Sequence, residues 1–204
     1  DPYPVPQISR GILTYPGGGS FAASLNGKDV LTGVTKLVQN TDGSEGYLAF
    51  VGNEMYIYGS VNPSAMGMHG YNYGGWGYWK MFFSDNQPLV NVHDGAIGST
   101  QGCAIYGADR KLACWGRTRY EQISQNEILR SGCGAKDTLT KRGYACKIVK
   151  PDQSELSQVE SVATKNNTTC AIVKENNKGQ LYCWGYRFEG NGVDSRSEST
   201  KSHN

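Results

Sequence analysis

Six cysteines, all in the second half of the chain, are the residues whose type and spacing most directly suggest chemistry. Thiolates form disulfides or bind metals, and zinc sites favour two close Cys-x2–4-Cys hooks, which this sequence lacks. The cysteines instead follow one another at similar intervals, each spanning a possible β-hairpin. We therefore expect disulfides between neighbours, no metal and no cofactor. The predicted pairs are Cys103 with Cys114, Cys133 with Cys146, and Cys170 with Cys183.

Catalytic chemistry finds little support among the other polar residues. One imidazole and one carboxylate are adjacent, at His93 and Asp94, but neighbouring residues of a strand point to opposite faces. The sequence has no Gly-x-Ser-x-Gly motif for a nucleophile. A glycosidase would need two converging carboxylates, which only a fold reveals. We predict a protein that is not an enzyme.

An aromatic segment at 71–79 is the most promising binding surface. Its aromatic residues, separated by glycines, are Tyr71, Tyr73, Trp76, Tyr78 and Trp79. Aromatic rings with polar tips stack on sugar rings or anchor a protein partner at low entropic cost. The same alternation also fits rings that cap a sheet core while glycine permits close packing. Both interpretations remain open from the sequence.

Short strands and tight turns must position these residues. Gly (27 residues) and Tyr (13 residues) are abundant, as is typical of turns and half-buried sheet faces. Asn26-Gly27 is a strong signal for a two-residue hairpin turn. Hairpins without cysteine are predicted over 21–33, 47–59 and 80–92. We predict an all-β fold of antiparallel hairpin repeats with local disulfides, either propeller-like, a partial propeller or a compact β-sheet domain.

The sequence divides into three parts. Pro restricts and Gly loosens the backbone near the start, and the last residues lack apolar anchors. The predicted parts are an extended lead-in or linker at 1–20, a β-repeat binding domain at 21–193, and a disordered polar tail at 194–204. Within the domain, the hairpins without cysteine occupy 21–92 and the disulfide-pinned hairpins occupy 103–185.

Charge and hydropathy narrow the possible partners. The formal net charge of +2 is too small to indicate nucleic acid. Nothing approaches the roughly 18 apolar residues of a membrane span, so no membrane insertion is expected. The second half is mildly basic, which suits an acidic ligand or simply a solvated surface. Because the sequence starts at Asp1 without a signal-like segment, we expect a mature or excised fragment.

Two phrases of the sequence repeat one order of residues: Cys-Ala-Ile, a polar stretch, then Cys-Trp-Gly, over 103–116 and 170–185. They resemble the extracellular, cysteine-pinned form of the regulator-of-chromosome-condensation repeat, across about a third of the chain. The segment 187–192 is similar to that family's aromatic-x-Gly-x-Leu-Gly ending. The resemblance implies blades of antiparallel strands and a scaffold that displays loops. The nucleotide exchange of the nuclear members does not carry over, because no motif for it is present.

These observations together predict an exported recognition domain. Paired cysteines place it outside the cell or at the cell surface, in an oxidising compartment. It would be the ligand-binding part of a larger surface protein, adhesin-like or at a pilus tip, joined to a stalk and holding a glycan or a cell-surface receptor. The alternative is a secreted inhibitor or scaffold module that grips a protein. Trp115 and Trp184 repeat at one hairpin position, which predicts packing between repeats.

Overall fold

The described part of the chain is all-β. A computed structural model describes residues 7–14, 31–41, 46–59, 77–83, 85, 87–98, 101–116, 145–150, 154–165, 168–185 and 200–201. Across these ranges the secondary structure consists of strands, without a helix. No helix in them is therefore long or apolar enough to cross a membrane. The predicted fold class, antiparallel β-sheets in a compact domain, is confirmed.

The strands are short and follow each other closely. They are β1 Gln7–Ser9, β2 Ile12–Thr14, β3 Lys36–Gln39, β4 Tyr47–Val51, β5 Glu54–Gly59, β6 Gly77–Trp79, β7 Val92–Ile97, β8 Gln101–Tyr106, β9 Lys111–Gly116, β10 Cys146–Lys147, β11 Val159–Lys165, β12 Thr168–Glu175, β13 Lys178–Gly185 and β14 Thr200–Lys201.

Each sheet is built from consecutive antiparallel strands. Strands β3–β6 form the first sheet, β7–β10 the second and β11–β14 the third, while β1 and β2 form a separate hairpin. Within each sheet, strands that follow one another in sequence pair with each other. Such local pairing needs only hairpin turns, which fits a sequence rich in glycine and turn residues.

The three sheets stack face to face, with the second sheet in the middle. Because successive residues of a strand point to opposite faces, β9 divides its side chains between two cores. Trp115 and Ala113 pack against the first sheet. Leu112 and Cys114 pack against the third. The second sheet is therefore buried on both faces.

In the first two sheets one face points toward the next sheet; we call this face, and the equivalent face of the third sheet, the forward face. It carries two cross-strand pairs at equivalent places in the central hairpin. These pairs are Leu48–Ile57 and Phe50–Met55 in the first sheet, Cys103–Cys114 and Ile105–Leu112 in the second, and Cys170–Cys183 and Ile172–Leu181 in the third.

A repeated junction starts each sheet. The residue before a buried valine adopts a left-handed backbone, with φ of 74° at Gly33, 55° at Asn91 and 58° at Gln158. The valine N–H then donates to the last turn residue of the preceding hairpin. These bonds join Val34 N to Gly11 O (2.9 Å), Val92 N to Asn53 O (2.9 Å) and Val159 N to Arg110 O (3.0 Å). The hairpin β1–β2 is thus hydrogen-bonded to the first sheet in the same way as each sheet is hydrogen-bonded to the next.

The predicted hairpins meet different outcomes. The one at 47–59 forms with its turn at 52–53, as expected. That at 80–92 is much reduced: Phe82 bridges Pro88, but Val92 begins β7 and pairs with β8. The second strand of this predicted hairpin does not form its full pairing, because the Val92 N–H donates to Asn53 O of the first sheet. In the remaining hairpin, over 21–33, residues 21–30 lie outside the described residues.

Two segments hold more structure than the sequence predicts. Within the expected lead-in at 1–20, residues 7–14 pair as the hairpin β1–β2. Arg10 and Gly11 both have positive φ (51° and 74°), as a two-residue hairpin turn requires. Within the expected tail at 194–204, Thr200 and Lys201 form β14 and pair with β13. The structure thus describes paired strands at these two places, and the division into a lead-in, a β-repeat domain and a tail stays a prediction.

Candidate binding surfaces

The cysteine pairs link hairpins across non-hydrogen-bonded positions. Cys103–Cys114 and Cys170–Cys183 form disulfides with Cα–Cα distances of 4.0 and 4.1 Å. Directly opposed residues of antiparallel strands approach this closely, which explains why the pairing is local. In the first sheet, Leu48 and Ile57 take the same place, so an apolar contact replaces the disulfide there.

The third predicted pair is only partly described. Cys146 is disulfide-bonded and lies opposite Cys114 in the second sheet. Its predicted partner, Cys133, lies outside the described residues. The disulfides that are described fit an oxidising, extracellular environment.

The two tryptophans of the repeated phrase lie between sheets, as predicted. Trp115 is fully buried between the first and second sheets. Trp184 is buried between the second and third sheets. A Cβ at Gly102 would lie only 2.5 Å from the Trp115 ring, so glycine is what permits this ring position. Both indoles are thus packing residues, with no surface open to a ligand.

The predicted aromatic site is described only at its end. Tyr71, Tyr73 and Trp76 lie outside the described residues. Tyr78 and Trp79 belong to β6, where their backbone pairs with Tyr58 and Ile57 of β5. Because β6 is the last strand of the first sheet, it lies at the sheet edge. The role of the aromatic segment in binding stays a prediction.

A small polar cluster adjoins this edge. Lys80 follows β6, and its Nζ lies 2.9 Å from Glu54 Oε1 and 5.4 Å from the centre of the Tyr56 ring. The Tyr56 hydroxyl donates to Glu54 Oε2 at 2.9 Å. The hydrogen bond from Lys80 lowers the pKa of Glu54, and burial raises the pKa of Tyr56. The cluster presents an aromatic ring and fixed hydrogen-bonding groups, which suit a polar ligand such as a sugar.

A second charged cluster joins the second sheet to the segment that enters the third. Lys111 pairs with Glu155, and Lys147 Nζ lies 3.6 Å from the same carboxylate. Lys147 also lies 5.5 Å from the Phe83 ring centre. The bond from Lys111 is the main cause that lowers the pKa of Glu155. This cluster holds sheets together, and all of its charges are paired.

The adjacent His93 and Asp94, and other polar side chains, also form contacts within the protein. His93 Nε2 lies 2.7 Å from the Gly107 carbonyl, whereas Asp94 Oδ1 accepts from Lys36 Nζ at 2.6 Å, so the two neighbours serve different contacts. Within the described ranges, no three His, Cys, Asp or Glu side chains are placed to hold a metal. Polar residues meet where the sheets adjoin: the buried Gln101 amide donates to Thr168 O at 3.1 Å, and the hydroxyl of the exposed Thr41 donates to Thr164 O.

The forward face of the third sheet is a surface that the sequence analysis did not single out. Ile172 and Leu181 are each 38% exposed, although their equivalents in the second sheet are fully buried. Their repeat equivalence with Ile105 and Leu112 could have revealed them, because the repeated phrase contains both positions. No protein-family model and no curated protein matches this sequence. The resemblance to the chromosome-condensation repeat therefore stays a prediction.

Proposed function

We propose that this protein is an exported, non-enzymatic recognition domain, the ligand-binding part of an adhesin-like surface protein such as a pilus tip. Its ligand is a glycan or a cell-surface receptor. The observation that carries this proposal is that the aromatic segment ends in β6, which is the edge strand of the first sheet among the described strands. Loops and edges displayed by a rigid scaffold are where proteins commonly place binding residues.

Three features support this proposal. The disulfides fit an extracellular protein, because reducing compartments rarely preserve them. The stacked sheets give a rigid base. The cluster of Tyr56, Glu54 and Lys80 adjoins β6, the described end of the aromatic segment, and presents oriented hydrogen-bonding groups there. A ring flanked by an oriented carboxylate and ammonium is suited to the hydroxyl groups and apolar face of a sugar.

A glycan array tests the proposal. We expect the wild-type protein to bind a defined set of glycans, and Trp76→Ala and Trp79→Ala to reduce that binding at least tenfold. Leu181→Ala is the matched control, since this exposed side chain lies on the third sheet, away from the first-sheet edge. Circular dichroism should show the same β-sheet spectrum for all variants. Glycan binding that survives both tryptophan substitutions would contradict the assignment.

A secreted inhibitor or scaffold module is the second candidate. The exposed apolar pair Ile172 and Leu181 favours it, because apolar side chains grouped on one sheet face suit a protein partner better than a sugar. Binding to a panel of purified surface proteins, measured in parallel with the array, separates the two functions. Protein binding lost in Leu181→Ala but kept in Trp76→Ala, with no glycan bound, would favour the module.

A further inference from the structure

We propose that the forward face of the third sheet is a self-association surface, on which a second copy of this chain packs its own third sheet. The contact is a closed two-fold pairing, so the expected assembly is a dimer. This inference concerns the third sheet, whereas β6, the described end of the aromatic segment, belongs to the first sheet. It does not depend on the proposed ligand.

The first support is the equivalence of the forward faces. In the first two sheets this face is buried by the next sheet, and in the second sheet Ile105 is 0% and Leu112 1% exposed. In the third sheet the equivalent residues, Ile172 and Leu181, are each 38% exposed. None of the described strands packs over them. The same residue types in the same hairpin are thus left partly open to water at one end of the stack.

The second support is that the opposite end of the stack is closed. The outer face of the first sheet, at Tyr47 and Ala49, is buried beneath Leu31 and Val34. The hairpin β1–β2 is tied to this end by the bond from Val34 N to Gly11 O. A head-to-tail contact would have to displace this cover. Pairing two open ends needs no such change and leaves none exposed, which favours a two-fold contact.

The third support is the charge pattern around the apolar pair. Lys174 continues the alternation Cys170, Ile172, Lys174 and is exposed. Glu160 Oε2 lies 4.0 Å from the Cβ position of Gly179, the residue opposite Lys174. Glu160 and Lys174 therefore lie on one side of the apolar pair, and Lys165 lies on the same face at the other end of the strands. A two-fold axis that runs along the strands, between β12 and β13, would set Glu160 of one copy against the second copy's Lys174, so the face is complementary to itself in that orientation.

Sedimentation velocity of the whole chain over a wide concentration range tests this proposal. We expect the mass to rise from 22.2 kDa toward twice that value and to stop there. Ile172→Lys and Leu181→Lys should weaken dimerisation at least tenfold. Val90→Lys is the matched control, because Val90 is 41% exposed but lies outside the third sheet, and it should dimerise like the wild type.

A charge exchange tests the orientation. Lys174→Glu places two carboxylates together across the axis and should weaken the dimer several-fold. The double variant Glu160→Lys, Lys174→Glu should restore it. A monomer at every concentration, growth beyond the dimer, or a dimer insensitive to both lysine substitutions would overturn the proposal. Unchanged near-ultraviolet circular dichroism shows that each variant is folded.

Discussion

The second and third sheets carry the same four residue types on their forward faces, yet only one face is fully buried. Cys, Ile, Leu and Cys recur at positions 103, 105, 112 and 114, and again at 170, 172, 181 and 183. In the second sheet the third sheet covers them. In the third sheet Ile172 and Leu181 remain exposed. The burial of a repeated residue is thus set by its neighbouring unit, and repeat proteins typically draw their stability from such interfaces.

The largest difference in stability should appear when the two equivalent isoleucines, Ile105 and Ile172, are each replaced by alanine. Ile105→Ala removes a fully buried side chain and leaves a cavity between two sheets, which should lower the free energy of unfolding by about 2–5 kcal/mol. Ile172→Ala should cost about 1 kcal/mol or less, because that side chain is already partly in water. Urea unfolding at low protein concentration measures both. Equal losses would show that the third-sheet face is covered too.

The two disulfides allow a second matched test. Removing either by paired Cys→Ala substitution should cost about 3 kcal/mol in the chain-entropy model, since the closed loops are of similar length. The pair at 103 and 114 should lose more, since its sulfurs also fill the core between sheets. Calorimetry of both double variants gives the difference. A larger loss for the pair at 170 and 183 would contradict this ranking.

These pairings were largely predictable from sequence, because the information is local. The turn at 52–53 and the polar stretches between paired cysteines fix which residues oppose each other. The hairpin β1–β2 was not predictable in this way, since its turn places Arg10, a residue without turn preference, at positive φ. The sequence gives equally little indication of the left-handed backbone at Gln158, where the third sheet begins. Its conformation is held by bonds from the N–H groups of Gln158 and Val159 to the turn at 109–110, a contact between units.

The candidate site likewise has one part that the sequence predicts and another part that only the fold shows. The aromatic segment is visible in the sequence as composition, but its role depends on where its rings point. The cluster beside it required the fold, because Glu54, Tyr56 and Lys80 meet only when β5 and β6 pair. Likewise, the exposed pair on the third sheet follows from the absence of a further described sheet, which no residue of the repeated phrase specifies.

The residue opposite each tryptophan gives a third test. Gly102 opposes Trp115 in the second sheet, whereas Thr169 opposes Trp184 in the third. Gly102→Thr would force its Cβ into the indole and should cost about 1–3 kcal/mol by overpacking. The fluorescence of the variant should shift to longer wavelength as the Trp115 ring is displaced toward water. A variant of wild-type stability and spectrum would show that this interface can adjust.

The smallest expected effect on stability concerns the charge of the lysine that begins the second strand of each disulfide-linked hairpin, β9 or β13. In the second sheet, Lys111 pairs with Glu155 of the segment that leads into the third sheet. In the third sheet, Lys178 is also the first residue of its strand, although it lies three residues before Leu181 rather than one, and it forms no salt bridge with any described residue. Glu155→Gln should therefore lower stability at neutral pH by less than about 1 kcal/mol, as is usual for partly exposed pairs. Lys178→Gln should change nothing measurable.

The pH dependence separates this pairing from a general effect of charge. The lysines hold the pKa of Glu155 below its usual range in the folded protein. The carboxylate therefore stabilises the fold above the ordinary glutamate pKa of about 4.3, and this contribution disappears as the pH falls through the lower, folded value. The gap between wild type and Glu155→Gln should close over that acidic window in denaturant titrations. A gap independent of pH would mean that Glu155 acts through packing, and the two sheets would then differ in contact area alone.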